Sequence, residues 1–517
     1  MPYLALNKTS NTRWWYVLLY IINVLTATTN LETRYMTEEF IFKTKPYDHQ
    51  LEALNTSYDK TEYALFMEMG CGKSKVVVDT FVHQYSKGNV YNVLIVAPKG
   101  VYGTWVNKEV PNHTPDHVTY DLVQWSSNHT QKLKEEFKKL FTNDFRLKIL
   151  VMNIEALSTK KGREFAGRFV MANRTMFVVD ESTTIKNPEA KRTKTCMALG
   201  KYASYRRILT GSPVTKSPLD LYSQCLFLDP ALLGFSSFYS FRARYADLVE
   251  KTGNGRTFKL VVGYKNLDEL NESLNKFSHR VLKKDCLDLP EKIYIRRTIQ
   301  MTPEQKKAYK ELQRFAYTQL ANSKSVTINH IMTQITRLHQ ISCGFIRTDD
   351  GYITELPSLR LTELSSILEE TNGKVIIWAN YRHDIEKIKN LLIKEYGENS
   401  VGTYYGDVSN TEREEVINKF QNPNDPMRFF VGNTQTGGFG ITLTEANTVI
   451  YYSNNYDLEK RLQSEDRAHR IGQTNKVTYI DIVCERTVDE KIVKALRKKQ
   501  SIASTILGEE KYKDWLL

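Results

Sequence analysis

Residues 67–74 read MEMGCGKS, and they join a short apolar run, YALFME at 63–68, to a second apolar stretch, VVVDTFV at 76–82. A glycine-rich turn that leaves a buried strand and opens a helix constrains a chain severely. Successive backbone N–H groups and the helix N-terminus then converge on one point, which suits phosphate. Met69, Gly70, Cys71, Gly72, Lys73 and Ser74 are therefore the candidate nucleotide cradle. Lys73 is expected at the β- and γ-phosphates, and the Ser74 hydroxyl on Mg²⁺. The general pattern G-x-x-x-x-G-K-[ST] wants Gly where this chain has Met67, a departure that fits the helicase form of the loop and argues against a small GTPase.

Apolar runs of strand length recur at NVLIVAP (92–98), LKILVMN (147–153), TMFVVDE (175–181) and RRILTGSP (206–213). Polar stretches long enough for crossover helices separate them, the pattern of a buried parallel sheet. A second series follows at KVIIWANY (374–381), VGTYYG (401–406), MRFFVGNT (427–434), TVIYYS (448–453) and VTYIDIV (477–483). The expected fold is α/β, with two parallel-sheet lobes. Between the series, PEQKKAYKELQRFAYTQL and INHIMTQITRLHQI have helical spacing, so a helical insertion is expected there. The boundaries read as an N-terminal extension at 1–35, a first lobe at 36–222, the insertion and inter-lobe connection at 223–365, a second lobe at 366–495, and a tail at 496–517.

At 517 residues the chain suits two to four domains. Its 72 Lys+Arg against 59 Asp+Glu give a net charge of +13, which favours a polyanionic partner, nucleic acid being the commonest. The six cysteines, at 71, 196, 225, 286, 343 and 484, form no CxxC pair, so neither a zinc site nor a disulfide framework is expected. WWYVLLYIINVL at 14–25 follows Lys8 and Arg13 and imitates a secretory signal, but it is too short to span a bilayer as a helix. An enzyme that consumes ATP has no fuel outside the cell. A cytoplasmic protein with no membrane partner is expected, its first 35 residues poorly ordered or not made.

FVVDES ends a strand with adjacent carboxylates, placed after the phosphate loop in the order that nucleotide hydrolysis requires. Asp180 is expected to hold Mg²⁺ through water, and Glu181 to accept a proton from the attacking water.

DESTTIKNPEAKRTK (180–194) and RRILTGSPVTKSPLDLYSQCLFLDP (206–230) resemble motifs II and III of the Swi/Snf-type ATPases, the chromatin-remodeller branch of helicase superfamily two. KPYDHQLEAL (45–54) is similar to the family's adenine-reading Gln motif and VAPKGVYGTWVNKEV (96–110) to motif Ia. KKDCLDLPEKI (283–293) and TRLHQISCG (336–344) resemble its inter-lobe signatures. TQTGGFGITLTEANTVI (434–450) and RLQSEDRAHRIGQ (461–473) resemble motifs V and VI, and the resemblance runs from about residue 40 to 495.

The resemblance implies two RecA-like lobes with ATP and Mg²⁺ held between them. Gln50 would read adenine, and Gly440 would contact the nucleotide. Arg467 and Arg470 would neutralise charge developing on the γ-phosphate, a task that suits guanidinium because it stays charged and binds phosphate bidentately. Thr210, Ser212 and Gln463 would couple nucleotide state to DNA grip. Lys99, Gly100, Asn153, Thr434 and Gly437 would touch the DNA backbone without reading bases. Ser182 and Thr183 stand where the family's second motif has Gly or Ala and then His, which puts the coupling role of that His in doubt.

No bromodomain, chromodomain or zinc-finger module accompanies these motifs, so the chain resembles the compact stand-alone versions of bacteria and their viruses. The expected activity is ATP-dependent translocation on double-stranded DNA, used in repair, fork remodelling or displacement of bound proteins, with no obligate oligomer. The alternatives are a strand-separating DNA or RNA helicase and a non-hydrolysing nucleic-acid-binding regulator.

Overall fold

The apolar runs become two separate parallel sheets. The structure, a computed structural model, describes residues 40–253, 256–322, 328–348, 350–437 and 441–507. The extension at 1–35, Gly440 and the end of the tail lie outside them.

In chain order the first half contributes β1 (Glu62–Met67), β2 (Asn92–Ala97), β3 (Tyr120–Gln124), β4 (Leu147–Asn153), β5 (Thr175–Asp180) and β6 (Tyr205–Leu209). The middle adds β7 (Ala246–Gly253), β8 (Arg256–Tyr264), β9 (Ser278–Val281), β10 (Lys292–Ile299), β11 (Phe345–Arg347) and β12 (Ile353–Glu355). The second half contributes β13 (Lys374–Trp378), β14 (Val401–Tyr404), β15 (Phe429–Gly432), β16 (Ala446–Tyr451) and β17 (Val477–Cys484).

The first sheet runs β3-β4-β2-β5-β6-β1-β9 and the second β10-β17-β16-β13-β15-β14, and every pairing in both is parallel. The central strands are covered on both faces, which is why they read as unbroken apolar runs. Leu94, Val96, Phe177, Val179 and Ile208 face one core of the first lobe. Their neighbours Val93, Ile95, Met176, Val178 and Leu209 face the other, as the two-residue period of a strand demands.

The middle of the chain is less helical than expected. Helices Pro303–Asn322 and Ile328–Cys343 are present, but β7 and β8 form an antiparallel hairpin, β9 extends the first sheet beside β1, and β10 extends the second beside β17. β9 and β10 lie on sheet edges and carry charged residues along their length, so no apolar run announces them. Because β9 and β10 are consecutive, the ten residues 282–291 join the two sheets edge to edge.

The stretch after 495, expected as a tail, belongs as far as Ile506 to a 19-residue helix, Val488–Ile506. This helix begins on the second lobe, and Ile506 is buried in the core of the first, near Leu270 and Leu274. Among the described residues no helix is long and apolar enough to cross a membrane.

Candidate active site

The phosphate loop leaves the C-terminal end of β1 and opens the helix Lys73–Ser86. Gly70 and Gly72 have φ of +87° and +82°, left-handed values that favour glycine. At Gly72 a Cβ would also stand 2.1 Å from Gln50 Nε2, so a side chain there would displace the Gln50 amide. Lys73 is buried and its ammonium donates to the Met67 carbonyl at 2.9 Å and the Glu68 carbonyl at 3.4 Å, curling over the loop it would share with phosphate. Gln50 lies against the loop with both ends of its amide engaged. Its Oε1 accepts from the Tyr47 N–H at 3.1 Å, and its Nε2 donates to the Cys71 carbonyl at 3.4 Å.

β5 ends beside β1's neighbour β6, which delivers Asp180 and Glu181 to the same edge of the sheet. Both side chains are buried, and burial raises both carboxyls above their usual range while Lys73 opposes the shift. Asp180 is fixed by two donors, the Trp105 indole N–H at 2.8 Å and the Glu181 backbone N–H at 2.9 Å. Glu181 adopts φ 46° and ψ 63°, a left-handed conformation costing a non-glycine residue about 1–2 kcal/mol, and such strain concentrates at functional positions. Thr210 Oγ1 donates to Glu181 Oε2 at 3.3 Å and accepts from the Ser212 N–H at 3.1 Å, so the TGS turn touches the acid directly.

The second lobe reaches the same place. Arg467 is 2% exposed, and its guanidinium donates to the Gln463 carbonyl at 2.8 Å, the Ile441 carbonyl at 3.1 Å and Met69 Sδ of the phosphate loop at 3.5 Å. Burial pulls its pKa down to about 10, with Asp466 and Glu181 acting in the other direction. Arg470 donates to the Thr442 hydroxyl at 2.9 Å and the Ile441 carbonyl at 3.2 Å. Gln463 Nε2 donates to Glu459 Oε1 at 3.3 Å. Glu459 also accepts from the Thr183 hydroxyl at 2.9 Å and from Lys186 at 3.4 Å, so the threonine standing where the family has His makes a cross-lobe bond. Lys283, from the segment between the sheets, donates to Asp466 at 2.8 Å and to the His469 carbonyl at 2.7 Å, while its backbone N–H donates to Glu68 Oε2 at 2.7 Å. The space left among Glu68, Met69, Glu181, Ser212, Glu459 and Gln463 measures about 40 Å³.

The candidate DNA residues are more dispersed. Lys99 and Gly100 are exposed beyond the C-terminal end of β2, and Asn153 ends β4, donating to Glu155 at 3.2 Å. Thr434 and Gly437 begin and end a short helix after β15, where the Thr434 hydroxyl accepts from Asn455 at 3.4 Å. A cleft of about 580 Å³ joins Gly100, Thr104 and Lys108 of the first lobe to Arg413, Thr436 and Thr442 of the second.

The sequence reading assigns no role to Trp105, Glu109, Lys283 or Glu459. A tryptophan four residues before a glutamate, just past a strand's C-terminal end, is a signal that could have found the first pair. The other two are visible only through contacts across the lobes.

A family model described as the SNF2-related domain matches residues 49–345, and one described as the helicase conserved C-terminal domain matches 359–472. The putative ATP-dependent helicase/translocase YwqA of Bacillus subtilis is 26% identical over 511 residues, covering 95% of this chain and 52% of that protein. An uncharacterized ATP-dependent helicase of Mycoplasma pneumoniae is 26% identical, with 86% and 40% covered. The ISWI chromatin-remodeling complex ATPase CHR11 of Arabidopsis thaliana is 25% identical, with 92% and 44% covered. The chain thus spans about half, or less, of the curated relatives it matches. The solved Sulfolobus solfataricus SWI2/SNF2 ATPase core in complex with dsDNA is 24% identical over 90% of this chain and 94% of that one, with a TM-score of 0.40. With the first family model alone covering more than half of it, the chain belongs to the SNF2-related family of helicase superfamily two, a SNF2-related domain followed by a helicase C-terminal domain.

Proposed function

We propose that the chain is an ATP-driven translocase on double-stranded DNA, in which hydrolysis requires both lobes. The observation that carries this is Arg467 of the second lobe lying on Met69 of the phosphate loop, the loop that carries the buried Lys73. Such a site is complete only when the lobes meet, so each turnover is tied to their relative movement.

The residues fit ATP and Mg²⁺. Two glycines of left-handed φ open the loop, one of them packed closely on Gln50, and the buried carboxylates Asp180 and Glu181 lack a full complement of cations. Ser74 and Asp180 are hard oxygen donors of the kind that hold Mg²⁺ together with water and phosphate oxygens. Mg²⁺, when bound, would supply positive charge that offsets the charge of the phosphates.

Lys73 then binds the β- and γ-phosphates, and Glu181 takes the proton of the attacking water as its oxygen bonds to the γ-phosphorus and the bond to ADP breaks. Arg467 and Arg470 neutralise the charge that develops. Thr210, held on Glu181, and Gln463, held on Glu459, transmit the state of the site to the DNA-facing segments.

DNA grip is assigned to the cleft that joins Gly100 and Lys108 to Arg413 and Thr436. The Thr104 and Thr436 hydroxyls with Lys108 and Arg413 suit phosphates rather than base edges. The basic balance and the helicase/translocase name of the Bacillus relative support the same reading.

The test is ATP turnover without polymer and with single-stranded DNA, duplex DNA or RNA, alongside displacement of a duplex strand and of a triplex third strand. Duplex-stimulated turnover that ejects the third strand without separating the duplex is expected. Selective stimulation by RNA, or duplex unwinding, overturns the reading.

A further inference from the structure

Glu459 belongs to the second lobe, yet two of the groups it holds belong to the first. Its Oε1 accepts from the Thr183 hydroxyl at 2.9 Å and its Oε2 from the Lys186 ammonium at 3.4 Å. Both donors lie in the turn that follows Glu181. Ser182–Ile185 form a 3₁₀ helix, the left-handed Glu181 precedes it, and Lys186 caps it. Thr183 is 2% exposed, so its hydroxyl is cut off from bulk water. A buried hydroxyl gains more from a carboxylate acceptor than from a neutral one, and loses that gain when the acceptor is removed.

The first lobe fixes this turn from other sides. The Ser182 hydroxyl donates to Gln224 Oε1 at 2.7 Å, and Lys186 divides its ammonium between Glu459 and the Thr215 hydroxyl, 2.7 Å away. Within the second lobe Glu459 stands in the first turn of the helix Leu458–Glu465 and accepts from Gln463 Nε2 at 3.3 Å, one turn on. The Gln463 carbonyl in turn holds the Arg467 guanidinium at 2.8 Å. One carboxylate therefore touches both the turn that presents Glu181 and the helix that leads to Arg467, and it lines the same space as Glu181.

We propose that Glu459 is a positioning residue acting across the lobes: its grip on Thr183 and Lys186 sets the register between Glu181 and Arg467, and so the fraction of nucleotide-bound molecules poised to hydrolyse. This rests on the ATP-driven reading above. The contact biases an alignment, so turnover falls without it while ATP affinity changes little.

The test uses the full chain with Glu459→Ala, Glu459→Gln, Thr183→Val, Thr183→Ser, and Glu459→Ala combined with Thr183→Val. With saturating duplex DNA, kcat is expected to fall about 10-fold in Glu459→Ala and less in Thr183→Val, with KM for ATP within about 2-fold of the unaltered chain. Glu459→Gln, which still accepts from Thr183 but offers Lys186 no charge, falls between Glu459→Ala and the unaltered chain. Thr183→Ser keeps the hydroxyl and most of the rate. The double variant is no slower than Glu459→Ala alone, because that change already breaks the shared bond. Hydrogen–deuterium exchange without nucleotide reads the contact itself: Glu459→Ala is expected to speed exchange at 182–186 in the first lobe, and Thr183→Val at 458–463 in the second, with thermal midpoints little changed.

Unchanged kcat in Glu459→Ala, additive losses in the double variant, or faster exchange confined to the altered lobe each overturns the proposal. So does a loss of rate that Thr183→Ser shares in full, which marks packing. If Thr183→Val fails to fold, the ranking of Glu459→Ala, Glu459→Gln and Thr183→Ser decides the same question. If the unaltered chain turns over no ATP with any polymer, the ATP-driven reading itself falls, and this inference with it.

Discussion

Arg461 and Arg467 are six residues apart and both are buried, one behind the second sheet and one in the cleft between the sheets. Arg461 lies over the Tyr451 ring and pairs with Asp481 at 2.5 Å and with Glu465 at 2.8 Å. Burial works against its charge, but those carboxylates overcome it and hold the pKa well above the usual value. Arg467 donates only to two carbonyls and a thioether, and burial draws its pKa down to about 10. The acids divide in the same way. Asp489, joined to Arg360 at 2.5 Å, is held well below the ordinary carboxylate range, whereas Asp180 and Glu181 are pushed above it. The Arg461 and Arg360–Asp489 pairs neutralise charge within the fold; in the cleft it is left for a ligand to complete. A buried charge without its counter-charge is expensive, and where such charges of both signs converge on one cleft they mark it as functional.

Four experiments would break or sharpen this contrast. Lys73→Ala and Glu181→Gln are expected to cut ATP turnover by at least ~10³-fold in a steady-state assay, while the second, which removes an unpaired buried charge, raises the thermal midpoint. Lost stability with retained turnover would reverse the assignment. Asp489→Ala strands Arg360 and is expected to cost about 3–5 kcal/mol in urea unfolding. Arg467→Ala is expected to lower duplex-stimulated turnover by ~10²-fold, with the unfolding midpoint little changed.

Asp384 gives the mildest test. It is 0% exposed, its carboxylate oxygens find no hydrogen-bond partner, and burial pushes its pKa from 3.8 up to about 7. With the folded pKa above the unfolded one, the acid favours the fold fully below 3.8, and that contribution is lost as pH rises through about 7. Asp384→Asn should therefore stabilise the protein most at pH 8, with the gain shrinking toward zero near pH 4. A gain independent of pH in thermal melts would mean that the carboxyl stays neutral throughout.

The residues most legible in the sequence were those whose role is set locally. Lys73 and the Asp180–Glu181 pair sit at the ends of apolar strands, and a strand followed by a glycine-rich turn carries its own chemistry. β9 and β10 escaped because edge strands such as SHRV and KIYIRRTI alternate with charge and take shape only against a partner strand. The β7–β8 hairpin escaped although the alternation in RTFKLVV was visible. Trp105 meets Asp180 across 75 positions of sequence, and Thr183 meets Glu459 across 276, so no window along the chain contains either bond. Arg467 was named from resemblance to a family, and its burial against the loop is a property of the folded chain alone.

The helix Val488–Ile506 gives the molecule a second attachment besides the ten residues between β9 and β10. Nineteen residues of helix make a rod of roughly 28 Å, rooted on one lobe with its tip buried in the other. With its tip in that core the helix ties the lobes at a second point, so a gap between them at this side would have to unseat Ile506. The geometry is that of a gate with a stay bar.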